Sequence, residues 1–219
     1  MLINADLTER VVLQTEAMPW VPSPLAGVHR KMLDRDGGEV ARATSLVQYD
    51  PGSAFEAHEH GGGEEFLVLD GTFSDETGDY PTGSYVRNPP GSRHAPFSRE
   101  GCTLFVKLRQ FAPGDGARVL IDTRRAAWRP GRVAGVEAMP LHSHGAETVM
   151  LLRWAPGIAY PRHDHPGGEE LLVLEGALED EHGRYPRGTW LRCPPGSAHT
   201  PVSREGCMLY VKIGHLGAG

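Results

Sequence analysis

Histidine, glutamate, glycine and proline recur twice along this chain in one order. The first set is Gly52, His58, His60, Glu64, Gly71, Gly83, Pro89, Gly91 and His94; the second is Gly157, His163, His165, Glu169, Gly176, Gly188, Pro194, Gly196 and His199. Each member of the second lies 105 residues after its counterpart (163 − 58, 169 − 64 and 199 − 94 all equal 105), so nothing was inserted or lost between ligand-type residues in either copy. Imidazole and carboxylate together suit borderline divalent cations such as Fe, Mn, Ni, Cu, Co or Zn, whereas Ca and Mg prefer all-oxygen shells. Each set is therefore a candidate site for one divalent metal ion, up to two per chain. Clustered imidazoles without a cation would lose hydration uncompensated, which makes metal-free polar lining the weaker reading. Four protein ligands on an octahedral metal leave two positions for water, O2 or a bidentate substrate. On tetrahedral zinc the same four close the shell, which suits a structural or sensing role.

These side chains need elements that bring them together. His58 and His60 are two apart, so on a strand they leave the same face, and so do His163 and His165. Gly61, Gly62 and Gly63 then turn the chain so that a glutamate can enter the same pocket. His94 arrives after the rigid turn Asn88-Pro89-Pro90-Gly91 and His199 after Cys193-Pro194-Pro195-Gly196. The carboxylate is offered twice, by Glu64-Glu65 and by Glu169-Glu170. Strand periodicity leaves that choice open, because Phe66 and Val68 on one face and Leu67 and Leu69 on the other are all apolar. The apolar runs ATSLVQY, EEFLVLD, SYVRN and TLFVKL are short, bounded by Gly, Pro, Asp or Ser, and lack any long 3.6-residue period. They predict an all-β sandwich or small barrel in each copy.

The duplication extends upstream, where Arg10–Trp20 (RVVLQTEAMPW) aligns with Arg118–Trp128 (RVLIDTRRAAW) at an offset of 108. Each copy thus starts near its RV dipeptide, and Ala112–Gly116 (APGDG) is the expected linker. A net charge of −6 with no long basic run argues against a nucleic-acid surface or an anionic-membrane anchor, which leaves a small molecule or a protein as partner. The opening MLINADLTERVVL has no basic segment followed by an apolar one, and no apolar stretch approaches a membrane span, so a cytoplasmic location is expected. Cys102, Cys193 and Cys207 form no CxxC, which fits a reducing compartment and offers no thiolate zinc site. The excess of Arg over Lys, with much Gly, Ala and Pro, suggests a GC-rich bacterial source.

Gly52 to Gly71 resembles the first cupin motif and Gly83 to His94 the second; Gly157 to Gly176 and Gly188 to His199 fit equally without a gap. Ser98 and Ser203 stand where the family usually ends in Asn. More narrowly, GGEEFLVLDGTFSDETGDYPTGSYVRNPPGSRHAP is similar to the cupin domain of ChrR-type anti-sigma factors, twice over. The resemblance implies two tandem cupin barrels (double-stranded β-helix, jelly roll), taken as residues 1–113 and 114–219. It implies metal ligation by His58, His60, Glu64 and His94, and by His163, His165, Glu169 and His199, with Fe, Zn, Mn or Ni as the ion. In that family sigma-factor binding belongs to a separate amino-terminal domain; this sequence opens directly on barrel sequence, so anti-sigma activity is not expected. Relatives include iron-dependent enzymes that cleave diketones or hydroxyacetophenones with O2. The function expected is therefore an Fe(II) dioxygenase acting on a diketone-like or hydroxyketone-like molecule. The alternative is a zinc-binding regulatory or stress-sensing protein that acts through a protein partner. Two fused copies are expected to pack as a pseudo-dimer, with homo-oligomerisation through Leu2 to Trp20 a further expectation.

Outside the motif sets, His142 and His144 read as loop residues before the second barrel, without a counterpart in the first. Cys102 and Cys207 read as small buried residues, and Cys193, in the place of Asn88, as a thiol facing the second pocket with a redox role as one reading. Arg87 and Arg192 read either as binders of an anionic substrate or as surface residues. Tyr80-Pro81 and Tyr185-Pro186 read as turn packing. Apart from the metal ligands, no catalytic residue can be named from the sequence.

Overall fold

Runs of Val, Leu, Phe and Tyr broken by Gly and Pro favour extended chain over helix. The computed structural model, which describes residues 1–217, is built almost wholly of strands; a 3-10 turn at Thr15–Ala17 is the one helical element among them. No helix among the described residues is long and apolar enough to cross a membrane. The runs read from the sequence appear as Ala41–Tyr49, Glu64–Asp75, Ser84–Asn88 and Cys102–Leu108, with second-copy counterparts Glu147–Trp154, Glu169–Asp180, Thr189–Cys193 and Cys207–Ile213. His142 and His144 end the strand Val136–His144 rather than lying in a loop.

Two compact units result. One comprises Met1–Ala5 with Met18–Ala126, the other Asp6–Ala17 with the chain from Ala127 onward. In sequence each RV segment leads its own copy. In space Val11–Gln14 pairs with Thr189–Cys193 and belongs to the second unit, while Val119–Asp122 pairs with Ser84–Asn88 in the first. Ser84–Asn88 and Thr189–Cys193 are buried along their whole length, and the added strand satisfies backbone groups that burial would otherwise orphan.

In the first unit the main sheet runs Leu2–Ile3, Val28–Gly37, Ala41–Tyr49, Cys102–Leu108, Glu64–Asp75, Ser84–Asn88, Val119–Asp122. Glu64–Asp75 serves two sheets. Its first half pairs with Ser84–Asn88 and Cys102–Leu108, and its second half with Gly78–Pro81 and Phe97–Ser98. The bend falls at a bulge opposite Thr103 and Leu104, followed by Gly71 at φ 71°. A side chain there would be strained and its Cβ would run into the Gly101 carbonyl oxygen; Gly176 meets Gly206 in the same way. These motif glycines are thus set by backbone approach. Each core lies on the face that Glu64 or Glu169 shares: Phe66, Val68, Phe73, Val86, Leu104 and Val106 in one barrel, Leu171, Val173, Leu178, Leu191, Leu209 and Val211 in the other.

Candidate metal centre

His58–His60 and Ser92–His94 form a two-stranded ribbon in which His94 stands directly opposite His58; His163–His165 and Ser197–His199 repeat it with His199 opposite His163. Far apart in sequence, the imidazoles are thus cross-strand neighbours. Their ring centroids lie 4.8 to 5.1 Å apart in the first barrel and 4.8 to 5.0 Å apart in the second. Glu169 closes the second set, its ligand atom and those of His163, His165 and His199 all lying within 4.8 Å of one another, whereas in the first barrel the three imidazoles group that closely and Glu64 approaches two of them. Glu64 Oε2 is 3.5 Å from His60 Nε2 and 3.7 Å from His94 Nε2, and Glu169 Oε2 is 3.6 and 3.7 Å from His165 and His199 Nε2. His60 and His94 Nε2 are 2.9 Å apart. Two ligands about 2.1 Å from a common ion are separated by roughly 3.0 Å at a right angle and 3.4 Å at the tetrahedral angle, so this spacing fits a shared cation.

Glu65 faces the other way. Arg87, directly opposite it on the next strand, donates to Glu65 Oε2 at 2.6 Å and to Asp115 Oδ2 at 2.5 Å. Arg87 and Arg192 are fully buried, so neither is a surface residue; Arg192 donates to the Asp6 carbonyl at 2.7 Å. Glu170 accepts from Trp190 Nε1 at 2.7 Å. Both faces of the glutamate strand are therefore buried, which is why alternation in sequence is silent about the choice.

A second layer orients the imidazoles. His58 and His163 present Nδ1 to the carbonyls of Glu56 and Pro161 at 3.1 and 3.0 Å, which directs Nε2 inward. His94 Nδ1 lies 3.4 Å from Asp75, and His199 Nδ1 3.3 Å from Asp180. Tyr185 donates to Asp180 at 2.6 Å, and Arg10 holds both that hydroxyl and the carboxylate. In the first barrel Tyr80 donates to Asp75 at 3.1 Å, and Arg118 reaches the same cluster through Thr77 at 3.3 Å. The tyrosines thus do more than fill a turn. Sequence reading passed over these residues, yet Asp75 and Asp180 share the 105 offset and Arg10 and Arg118 the 108 offset.

The protonation states fit the same picture. Burial takes the His60 and His165 imidazoles down to about 4, so both are neutral and have a lone pair to give. Burial raises the Glu64 carboxyl and takes that of Glu169 up to about 7, with only partial offset from His94 and His199. Burial would raise Asp180 too, but hydrogen bonds from His199, Tyr185 and the His182 amide outweigh it and bring it to about 2. His165 Nε2 and Glu169 Oε2 are buried with no hydrogen-bond partner, although they face each other. A divalent ion between them would satisfy both, so the residues present fit the group. Asn88 donates to Glu64 at 3.3 Å; its counterpart Cys193 is buried, and burial, reinforced by Glu169, pushes its thiol up to about 12, which leaves it protonated and unsuited to redox exchange. Cys102 and Cys207 are buried as expected.

The second barrel also holds a cavity of about 500 Å3, floored by His163, His165, Glu169 and His199 and walled mostly by apolar side chains.

A family model for the ChrR cupin-like domain matches residues 8–112 and again 116–217. The chain belongs to that family. One curated ChrR relative is similar over a short stretch: the anti-sigma-E factor ChrR of Cereibacter sphaeroides is 41% identical over 63 residues, which are 28% of this chain and 30% of that protein. Among solved structures, a Nostoc punctiforme protein described as a candidate dioxygenase superposes with a TM-score of 0.79 at 16% identity, covering 94% of this chain and 82% of its own. Protein YlbA from Escherichia coli gives 0.73 at 16% identity, covering 98% and 94%. A bacterial pirin from Escherichia coli, solved with nickel(II), gives 0.70 at 12% identity, covering 94% and 98%. At these identities the likeness shows the cupin fold of this ChrR-family chain and nothing finer.

Proposed function

We propose that this protein binds a divalent metal ion in each barrel and works as a non-haem Fe(II) dioxygenase on a small diketone-like or hydroxyketone-like molecule. His58, His60, Glu64 and His94 would hold one ion, and His163, His165, Glu169 and His199 the other. The observation that carries the reading is the placement of the unsatisfied Glu169 Oε2 and His165 Nε2 at the floor of a cavity of about 500 Å3. A structural zinc site needs no such space, whereas small-molecule sites occupy roughly 300–1,000 Å3. A bound divalent ion would supply Lewis acidity toward a carbonyl or enolate oxygen and, as iron, one-electron chemistry toward O2. The chain's own part is to fix the donors. Asp180 and Asp75 hold the Nδ1 side of His199 and His94, the carbonyls of Pro161 and Glu56 hold His163 and His58, and the apolar wall keeps bulk water from the floor.

Family membership favours a second reading, a zinc-binding regulatory protein that acts on a protein partner. Metal analysis combined with oxygen uptake separates the two. Protein loaded with iron, manganese, nickel or copper should consume O2 when given a β-diketone or an aryl α-hydroxyketone. No uptake with any of these ions, alongside tight stoichiometric zinc and a defined protein complex, would put the regulatory reading in its place.

A further inference from the structure

The two barrels carry the same donor set but different walls. We propose that only the second takes an organic ligand, an apolar aryl or branched-alkyl ketone, and that Leu171, Leu178 and Ala138 are the residues that admit it; this rests on the metal-enzyme reading above. The cavity is walled by Leu152, Trp154, Leu171, Leu178, Leu209 and Val211, a lining that desolvates a hydrocarbon group, with Arg132 and Asp164 also bordering it and the buried Trp154 Nε1 left without a hydrogen-bond partner. Trp154 and Tyr160, with ring centroids 5.6 Å apart and planes 32° apart, form an aromatic side suited to an aryl group.

In the first barrel the counterparts of Leu171 and Leu178 are Phe66 and Phe73 (66 + 105 = 171, 73 + 105 = 178). Both rings are buried and 4.9 Å apart, and Phe73 lies 5.6 Å from Tyr49 and 5.9 Å from the His94 ring. The aromatic stack thus reaches the imidazole itself, where in the second barrel leucines border open space. A third difference acts on the neighbouring strands. Ala138 stands opposite Leu152 and lines the cavity; Arg30 stands opposite Val47 and so shares that residue's inward face, its side chain 17% exposed and paired with Glu39 at 3.1 Å. Met150 and Leu152 are larger than their counterparts Ser45 and Val47, but they line the cavity without closing it.

The test is calorimetric titration of 1-phenylbutane-1,3-dione, followed by a small set of aryl hydroxyketones, into the Fe(II)-loaded protein under argon, where no turnover interferes. One equivalent per chain is expected. Leu171→Phe with Leu178→Phe should weaken binding at least tenfold while the metal content per chain stays unchanged. Ala138→Arg, at a half-buried strand position whose first-barrel counterpart is Arg30, should do the same if the double variant fails to fold. Two equivalents per chain, affinity unmoved by the variants, or no binding by any ketone would overturn the proposal. Binding without oxygen uptake by the iron form would leave the pocket assignment standing and remove the dioxygenase; uptake undiminished by the variants would do the reverse.

Discussion

The first barrel and the second place the same three imidazoles and one carboxylate on the same ribbon and strand, yet they differ in what stands above the floor. Phe66, Phe73 and Tyr49 stack in one; Leu171, Leu178 and Trp154 leave a cavity in the other. A duplicated site therefore separates two requirements. Holding an ion depends on a few polar atoms at fixed spacing, whereas admitting a substrate depends on the volume of the apolar residues around them. The polar layer differs as well: Asn88 satisfies Glu64, while Cys193 leaves Glu169 Oε2 unsatisfied.

The largest effect expected is on turnover. His163→Ala with His165→Ala should take ketone-dependent oxygen uptake to background and remove about one metal equivalent. His58→Ala with His60→Ala should also remove about one equivalent and leave the second site loaded. Metal analysis beside an oxygen electrode checks both, and equal loss of turnover from either pair would erase the contrast.

Glutamate substitutions sharpen it next. Glu64→Gln and Glu169→Gln should empty their own sites. Glu65→Gln should keep the metal and lower stability instead by about 1.5–3 kcal/mol, the cost of weakening one charged hydrogen bond of Arg87, which also donates to Asp115, as read by denaturant unfolding. Metal kept by Glu64→Gln and lost from Glu65→Gln would reverse the assignment.

Smaller effects follow from the orienting layer. Asp180→Asn and Asp75→Asn should each lower metal affinity about 10- to 100-fold in their own barrel, measured by competition with a chromophoric chelator. An effect of Asp180→Asn on the first site would contradict the pairing with His199.

A pH effect on the metal-free protein concerns the second barrel. Glu169 has its carboxyl raised from 4.5 to about 7. Between those values the folded state holds a proton that the unfolded state has released, so the contribution of this group to stability falls as pH rises through the interval, by an amount on the order of 3 kcal/mol. Below pH 4.5 both states are protonated and the effect vanishes. Metal binding at pH 6 should accordingly release a proton from Glu169, whereas His165, already neutral, releases none. His60 and His165, held near 4, act in the opposite sense, so the Glu169 share is read as the difference between the metal-free wild type and Glu169→Gln in thermal melts from about pH 4.5 to 7; a wild-type advantage that grows with pH would contradict it.

Much of this was readable in the sequence, because spacing is chemistry. Six histidines and two glutamates at a constant offset specify a duplicated site, and short apolar runs between Gly and Pro specify strands. The burial of Arg87 and Arg192 was not readable: a charged residue in a strand looks like a surface residue until its partner, Glu65 across the strand pair, is in place. Nor was the pairing of Val11–Gln14 with Thr189–Cys193, since linear order does not tell which sheet edge a leading strand completes. Phe66 and Leu171 look alike in sequence, both being apolar and buried, and only packing sets one edge-on against Phe73 and the other beside a cavity.

The most direct test is a crystal structure of the metal-loaded protein soaked with 1-phenylbutane-1,3-dione, with anomalous scattering recorded at the metal edge. Two anomalous peaks are predicted, one among His58, His60, Glu64 and His94 and one among His163, His165, Glu169 and His199, with the dione beside the second alone. Absence of either peak, or a dione in the first barrel, would contradict the account.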